Sequence, residues 1–143
     1  IFNGKIANWS ALGGEDHAIT VVSREAGSGT RSSFEKIVGG IQLTPNAIIQ
    51  DSNGTIRETV ANDPHAVGYL SHGLIDPAKI KPLLVNGADC TPEEIAARRY
   101  PLVRPIFLLT REAPQGAVGE FIAYILSPEG EAMILKDGLL PAR

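Results

Sequence analysis

The sequence predicts an α/β domain with a largely parallel sheet, and three observations support this prediction. Short β-branched or apolar runs alternate along the chain with segments that have the spacing of amphipathic helices. Glycine, proline and capping residues separate the two kinds of segment. With 143 residues and 43% hydrophobic composition, the chain is long enough to bury a core. We expect a single lobe with flanking segments over residues 1–143.

The predicted strands are five short runs, each composed mainly of apolar or β-branched residues. Such runs are typical of strands that helices cover on both faces. No internal repeat, low-complexity tract or long linker interrupts their alternation with the helices. In chain order, the runs are residues 18–23, 47–50, 66–71, 80–85 and 105–110.

Two helices are predicted in the first half of the chain. Residues 31–38 carry apolar side chains on one face, and Gly39 ends this helix because glycine adopts the backbone conformation of a helix C-terminus. Thr55 and Glu58 have the spacing of a capping box. That spacing predicts a second helix over residues 56–62, which ends as a proline approaches.

Three further helices are predicted in the second half. Thr91 is an N-cap residue followed by a proline, which predicts a helix of about two turns through Arg99. Residues 116–126 have the spacing of an amphipathic helix. Ser127, again followed by a proline, starts a last helix that ends near Gly138.

Composition and charge argue against several classes of protein. The formal net charge is −3 and no basic cluster is present, so nucleic-acid binding is not expected. The longest apolar runs, such as residues 121–126, are far shorter than the roughly 20 residues that span a bilayer. A lone cysteine, Cys90, provides no internal disulfide framework. Because the chain starts at Ile1 without a leader segment, we interpret it as a mature or truncated product.

The most informative segment, ITVVSREAGSGTRSSF, runs from a predicted strand through a glycine-rich turn into a predicted helix. The first amides of a helix lack intrahelical acceptors and lie at the positive end of the helix dipole, so they attract anions. Gly27 and Gly29 allow close backbone approach, Ser28 and Thr30 add hydroxyl donors, and Arg24 can present a planar pair of donors to two oxygens. The segment predicts an oxyanion site.

Other interpretations of this segment are simpler or fit less well. Residues 27–29 could be only a tight turn, with Ser28 or Thr30 as the helix cap. The phosphate loop of nucleotide hydrolases requires Lys after its last glycine, where this chain has Thr30. A nucleophile elbow requires glycines at the positions of Ala26 and Thr30. A general base for Ser28 is not evident, because no histidine has motif spacing; the histidines are His17, His65 and His72.

A second turn, DSNGT at residues 51–55, also follows a predicted strand and enters a predicted helix. Its simpler interpretation is a cap and a turn, since Asn53 and Gly54 tolerate a positive φ. In the functional interpretation, Asn53, Gly54 and Thr55 form the wall of a binding cleft. The acidic pairs at 15–16 and 93–94 are better explained by loop charge and by a helix dipole than by a metal site, so no metal or other cofactor is predicted.

Five blocks of the sequence resemble one family. These blocks are IFNGKIANWSALGG, VVSREAGSGTRSSFE, AVGYLS, YPLVRPIFLL and FIAYILSPEGEAMI. They resemble, in family order, the solute-binding proteins of high-affinity phosphate ABC importers. The resemblance implies one lobe of a type II periplasmic-binding-protein-like fold and a non-catalytic protein. It also implies that phosphate is bound by Arg24 and the turn Gly27, Ser28, Gly29 and Thr30.

The resemblance also implies partners and a location. Members of the family are about twice this length, so an N-terminal lobe with the other half of the site, including a carboxylate that accepts the phosphate proton, should precede Ile1. A membrane permease of the ABC type is the expected partner, and the periplasm or the cell exterior is the expected location. Family members often place an acidic residue two positions after the arginine, where this chain has Ala26, with Glu25 beside it.

Several alternatives remain open on the sequence alone. The lobe could belong to a phosphate-sensing or scavenging receptor that works without an importer. It could bind another oxyanion such as sulfate, because a site made only of donors suits several anions. An enzyme with Ser28 as its nucleophile is the third alternative, and it lacks an evident base.

Overall fold

The computed structural model describes residues 1–141. The chain divides into two compact units, Ile1–Leu102 and Val103–Arg143. The sequence shows no linker at this division, because the helix-like and strand-like segments continue across it without a polar or glycine-rich stretch. No helix among the described residues has both the length and the apolar character needed to cross a membrane.

The first unit is built on a parallel sheet of three strands. They are β1 (Thr20–Arg24), β2 (Ile48–Gln50) and β3 (Ala66–Val67), arranged in the order β2-β1-β3. Both outer strands run parallel to β1, and Arg24 is the register partner of Gln50. The carboxyl ends of β1 and β2 therefore lie side by side at one edge of the sheet.

Helices follow the strands as the sequence predicts. Helix α1 (Gly29–Ile37) follows β1, helix α2 (Asn53–Asn62) follows β2, and α3 (Pro92–Ala96) comes later in the same unit. Two short 3-10 helices complete the unit, at Trp9–Leu12 and His72–Leu74. The predicted helices over 31–38, 56–62 and 91–99 are confirmed, with α1 and α2 starting two or three residues earlier and α3 ending earlier.

The capping box that starts α2 differs from the predicted one. Ser52 is the N-cap, its Oγ accepts a hydrogen bond from the Thr55 amide at 3.1 Å, and the Thr55 hydroxyl bonds back to the Ser52 amide at 3.2 Å. The box predicted from Thr55 and Glu58 was wrong. Glu58 instead accepts hydrogen bonds from Arg57 and Lys79. Serine three positions before threonine satisfies two backbone donors in the same reciprocal way but one turn earlier, so the helix starts about one turn before the predicted position.

The core of the first unit lies between β1 and α2. Val22 and Ile56 are fully buried, and Val21 and Val67 are nearly so. Gly68, directly after β3, allows this close packing: a Cβ there would lie 3.1 Å from Ile56 Cγ2 and 3.3 Å from the Val22 carbonyl oxygen. The β-branched residues of the predicted strands thus supply the core that supports the strand ends.

The second unit contains two helices, α4 (Gly116–Ile125) and α5 (Pro128–Lys136), which confirm the last two predicted helices. A tight connection joins them. A Cβ at Gly130 would collide with the backbone oxygens of Tyr124 and Ile125, so only glycine permits this approach of α5 to the end of α4. The two helices are consequently packed against each other through backbone as well as side chains.

Two of the five predicted strands were wrong. The runs at 18–23, 47–50 and 66–71 correspond to β1, β2 and a shortened β3, but residues 80–84 and 105–110 are not in strands, and Val85 makes only an isolated bridge with Ala88. An apolar run becomes a strand only when a neighbouring strand supplies hydrogen bonds. The run at 105–110 remains exposed, at Ile106, Phe107, Leu108 and Leu109.

Candidate anion-binding site

The order of the strands reverses at β1. From β1 the chain passes to β2 on one side, and it then returns to place β3 on the other side of β1. In open parallel sheets, ligands bind where the order of strands reverses in this way, beyond the carboxyl ends. The glycine-rich turn after β1 and the second turn after β2 both lie at this edge. The two segments with candidate site residues are therefore brought together.

Ser28 starts α1 at this edge. It is buried, with 7% exposure, and its Oγ accepts a hydrogen bond from the Arg31 amide at 3.3 Å. The Ser28 amide donates to the Glu25 carbonyl at 3.2 Å, and Gly27 takes φ +91°, a conformation that favours glycine. Ser28 is thus the helix cap that the simpler interpretation proposed, and its hydroxyl hydrogen is still available to a ligand.

The first two amides of α1 are further donors at this edge. Gly29 is exposed and Thr30 is partly exposed, and neither amide donates to an acceptor within residues 1–141. First-turn amides cannot bond inside their own helix, so they require water, a side chain or a ligand. Both point out from the positive end of α1, which is the arrangement that binds oxyanions.

Arg24, the last residue of β1, is held by three neighbours and has only 12% of its side chain exposed. Its Nε and Nη2 donate to the two carboxylate oxygens of Glu25 at 2.8 and 3.0 Å. Its Nη1 donates to Asn53 Oδ1 at 3.1 Å, and Nη2 also donates to the Asp51 carbonyl at 3.2 Å. Four of the five guanidinium N–H groups are engaged in this way.

This arrangement differs from the open pair of donors that the sequence suggests. The Nε–Nη2 edge faces Glu25, so what Arg24 still offers within the described chain is one N–H of Nη1. Glu25 takes this role because the acidic residue is adjacent in sequence and its carboxylate can match the guanidinium edge. The hydrogen bond raises the pKa of Arg24 and lowers the pKa of Glu25.

Tyr69 holds the end of β1 in place through its hydroxyl and its aromatic ring. The Tyr69 hydroxyl lies 2.7 Å from Ser23 Oγ, and it accepts a long hydrogen bond of 3.4 Å from the Arg24 amide. The Tyr69 ring stacks on Phe34 of α1, with 4.1 Å between centroids, and Phe2 packs edge-on against Phe34 at 4.7 Å. Sequence reasoning did not connect Tyr69 with the site, because 45 residues separate it from Arg24.

Arg31 ties α1 to the same strand end. Its Nη1 donates to the Arg24 carbonyl at 3.0 Å and its Nε to Glu35 at 2.7 Å. A shallow depression of about 220 Å³ opens beside it, and Arg24 does not line it. Its lining residues are Ala26, Gly27, Ser28, Arg31, Ser32 and Glu35.

A larger depression, of about 440 Å³, contains none of the predicted site residues. Lys5 is the one charged side chain among the residues that line it, and no buried polar group lies among them. The candidate site is therefore the smaller depression beside the α1 start, where the hydrogen-bond donors lie, and not the larger one. The residues that line the larger depression are Asn3, Lys5, Gln42, Leu43 and Pro45.

The second turn contributes one side chain to Arg24. Asn53 accepts from the guanidinium and donates from Nδ2 to Ser71 Oγ at 3.4 Å. The Thr55 hydroxyl serves the capping box and bonds to Asp51 Oδ1 at 3.2 Å, and the nearest atom to a Cβ at Gly54 would be Ser52 Oγ. Of the three predicted wall residues, Asn53 is the one that the structure brings into contact with Arg24.

The arrangement of the described residues around Ser28 is suited to holding an anion. Ser28 Oγ accepts a hydrogen bond from the Arg31 amide. His17 and His65 stack on each other with 4.0 Å between ring centroids, and the His65 carbonyl accepts from Trp9 Nε1. Among the described residues there is also no group of three or more side chains that could hold a metal ion.

Comparison with known proteins relates this geometry to a family. A family model described as a PBP superfamily domain matches residues 1–129. The phosphate-binding protein PstS of Bacillus subtilis is 33% identical over 142 residues, which cover 99% of this chain and 47% of that protein. Phosphate-binding protein PstS 2 of Streptococcus agalactiae is 34% identical over 86% of this chain and 45% of its own length. The chain spans about half the length of the curated relatives it matches.

Solved structures agree with the fold. A structure with bound phosphate from Clostridium perfringens, of a protein assigned as a phosphate ABC transporter substrate-binding protein, aligns with a TM-score of 0.85 at 39% identity. The alignment covers all of this chain and 60% of the Clostridium perfringens chain. An ABC-type phosphate transport receptor from Vibrio cholerae gives 0.84 at 35% identity, over 98% of this chain and 60% of that one. The predicted resemblance and the periplasmic-binding-protein-like fold are confirmed, and the chain belongs to the PBP superfamily.

Proposed function

We propose that this chain forms one wall of an inorganic phosphate site in the solute-binding component of a phosphate ABC importer, and that it does not catalyse a reaction. The start of α1 beside Arg24 is the observation that carries the proposal, because it brings several hydrogen-bond donors together. These donors are the amides of Gly29 and Thr30, the hydroxyls of Ser28 and Thr30, and one N–H of Arg24. The phosphate named in the relatives supports this choice of anion.

The site can attract an anion although its own fixed charges are balanced. Glu25 balances the charge of Arg24 through two hydrogen bonds, so the attraction for phosphate comes largely from oriented N–H groups and from the dipole of α1. Such donors are already aligned before the ligand arrives, so little reorganisation is required on binding. A neutral, pre-aligned site can replace the hydration shell of phosphate with hydrogen bonds.

The proposed site is incomplete without a second wall. The groups named above act as donors, and the nearby carboxylates of Glu25 and Glu35 are paired with Arg24 and Arg31, whereas phosphate that carries a proton also requires an acceptor. We place this acceptor in an N-terminal lobe that closes over the phosphate, in the half of the relatives' length that this chain does not span. Closure of two lobes would dehydrate the ligand and provide the conformational signal for a membrane permease.

Exposed apolar side chains in the second unit support the presence of further chain around it. Phe107 is 74% exposed and Leu109 is 89% exposed, and on α4 Phe121 is 60% exposed. Large apolar side chains that are this exposed often belong to an interaction surface. We propose that residues 1–143 comprise one lobe with returning segments, that the missing lobe covers this surface, and that the protein works in the periplasm or outside the cell.

Titration with phosphate and sulfate tests the proposal. The protein at its natural length should bind phosphate in a saturable manner by calorimetry at neutral pH, and sulfate should bind much more weakly, because sulfate offers no proton to an acceptor in the second wall. Sulfate binding at equal strength would favour a general oxyanion receptor. The absence of phosphate binding would contradict the proposed function. Whether the protein feeds an importer or only senses phosphate is tested by uptake in cells that lack it.

A further inference from the structure

We infer that Asn53 is a positioning residue for the anion site, which sets the direction of the N–H group that Arg24 offers to the ligand. This inference rests on the proposed function. It concerns a residue that acts through Arg24 and does not need to touch phosphate itself.

The contacts of Asn53 join three parts of the sheet edge. Asn53 is the first residue of α2, its Oδ1 lies 3.1 Å from Arg24 Nη1, and its Nδ2 lies 3.4 Å from Ser71 Oγ. A guanidinium only donates, so the amide oxygen must face Arg24 and the amide nitrogen must face Ser71. One side chain therefore links the end of β1, the start of α2 and the segment after β3.

The bond to Asn53 decides which donor remains for a ligand. Glu25 and the Asp51 carbonyl hold Nε and Nη2, so the guanidinium is fixed along one edge only. Asn53 fixes the opposite corner, at Nη1, and leaves one N–H of that nitrogen. Without Asn53, the plane of the guanidinium could tilt about the Glu25 edge, and both Nη1 hydrogens would turn toward water. Phosphate binding would then have to fix the orientation of the guanidinium, which Asn53 now fixes before the ligand arrives, and this ordering would cost binding free energy.

The residue type fits this role, because asparagine accepts a hydrogen bond without adding negative charge. An aspartate at 53 would also accept from Arg24, but it would bring a carboxylate close to the bound anion. The first turns of α1 and α2 carry no acidic residue, which is also true of α4, whereas α3 and α5 have two each. The acidic residues of those other helices are Glu93, Glu94, Glu129 and Glu131.

A double-mutant cycle between Asn53 and Arg24 tests the inference. Phosphate affinity is measured in the protein at its natural length for Asn53→Ala, Arg24→Ala and the double variant, with NMR titration to high phosphate for the weak binders. Asn53→Ala should weaken binding roughly tenfold in the otherwise unchanged protein, the effect of losing one hydrogen bond to a charged group. In the Arg24→Ala background the same change should alter affinity less than about twofold.

Two variants separate positioning from folding. Asn62→Ala removes an asparagine from the other end of α2, where its side chain bonds to the Glu58 carbonyl, and it should leave phosphate affinity unchanged. Asn53→Asp should keep or raise the stability of the fold, because a carboxylate suits the first turn of a helix. The same variant should nevertheless bind phosphate more weakly, which a purely structural role for Asn53 does not predict.

The outcomes distinguish this inference from the proposed function. If Arg24→Ala weakens phosphate binding but Asn53→Ala has the same effect with and without Arg24, Asn53 does not act through Arg24 and the inference is overturned while the function stands. Unchanged affinity in Asn53→Asp would overturn it as well. If the unchanged protein does not bind phosphate, the proposed function fails and the inference fails with it.

Discussion

Glu25 holds Arg24 through both carboxylate oxygens, at 2.8 and 3.0 Å, although the two residues are adjacent in the chain. Neighbours on a strand point to opposite faces, so this pairing is possible only because β1 ends at Arg24 and the chain turns there. The end of the strand thus supplies both the cation and its counter-ion.

Replacement of Arg24 with Ala should weaken phosphate binding by about 2 to 5 kcal/mol, as expected when one partner of a desolvated charged pair is removed. Arg24→Lys should restore only part of this loss, since an ammonium cannot match Glu25 and Asn53 together. Calorimetry on the protein at its natural length measures the change. Arg57→Ala is the matched control, because Arg57 pairs with Glu58 on α2. Equal affinity in both alanine variants would remove Arg24 from the site.

The stability of the fold should depend on Glu25 in acid. The hydrogen bond from Arg24 lowers the pKa of Glu25 from its ordinary 4.5, so its contribution is present above pH 4.5 and is lost as the pH falls through the lower folded value. Glu25→Gln should therefore flatten the fall in unfolding free energy below pH 4.5. Urea unfolding between pH 6 and 3 tests this, with Glu120→Gln as the exposed control. Identical profiles for Glu25→Gln and the unchanged protein would contradict the pairing.

Ser28 should act as a cap and a donor, not as a nucleophile. Ser28→Ala should lower binding by about 1 to 3 kcal/mol and the stability of the fold by about 1 kcal/mol. Ser28→Asp should retain the cap but repel the anion, so stability and binding should separate in this variant. After incubation with phosphate or acyl esters, mass spectrometry should find Ser28 unmodified. A covalent adduct on Ser28 would indicate an enzyme.

Two glycines should respond to alanine in opposite ways. At Gly68 a Cβ would lie 3.1 Å from Ile56 Cγ2 and 3.3 Å from both a Val60 methyl and the Val22 carbonyl, so Gly68→Ala should destabilise the fold by about 1 to 3 kcal/mol. At Gly54, in the first turn of α2, the nearest atom would be 3.7 Å away. Gly54→Ala should stabilise by about 0.4 to 1 kcal/mol. Chemical denaturation measures both, and a stable Gly68→Ala variant would contradict the close approach.

Residues 1–143 alone should bind phosphate only at roughly millimolar concentration, where a few exposed charge-assisted bonds offset the cost of association. The affinity should also fall with added salt, because the Debye length near physiological ionic strength is about 8 Å and the ligand would remain partly hydrated. NMR titration of the monomeric chain at two salt concentrations tests both expectations. Submicromolar binding by this monomer would show that no second wall is needed.

Local sequence predicted the parts of the molecule that depend on local physics. The strand that became β1, the helix starts at Thr91 and Ser127, and the turn that leads into the Ser28 cap follow from β-branching, capping chemistry and glycine. The N-cap of α2 is Ser52 and not the predicted Thr55, but this difference moves the start of the helix by only about one turn. Rules of this kind operate within a few residues.

Contacts between distant segments were not predictable in this way. Arg24 and Asn53 are 29 residues apart, and Ser23 and Tyr69 are 46 apart. They meet only because β2 and β3 pair on opposite sides of β1, which no local pattern specifies. The run at 105–110 shows the converse: it has the composition of a strand, but a strand also requires a partner with free backbone groups.

The brevity of the outer strands has a consequence for association between molecules. In the described sheet both edges are formed by very short strands, β2 with three residues and β3 with two. An edge of this length offers an incoming segment only a few backbone groups to pair with, so it is a poor template for the extension of the sheet by another molecule. The exposed apolar run at Ile106 to Leu109 consequently finds few free backbone groups to pair with at the sheet edge of a neighbouring copy. The short edge strands thus limit the aggregation that this run would otherwise favour.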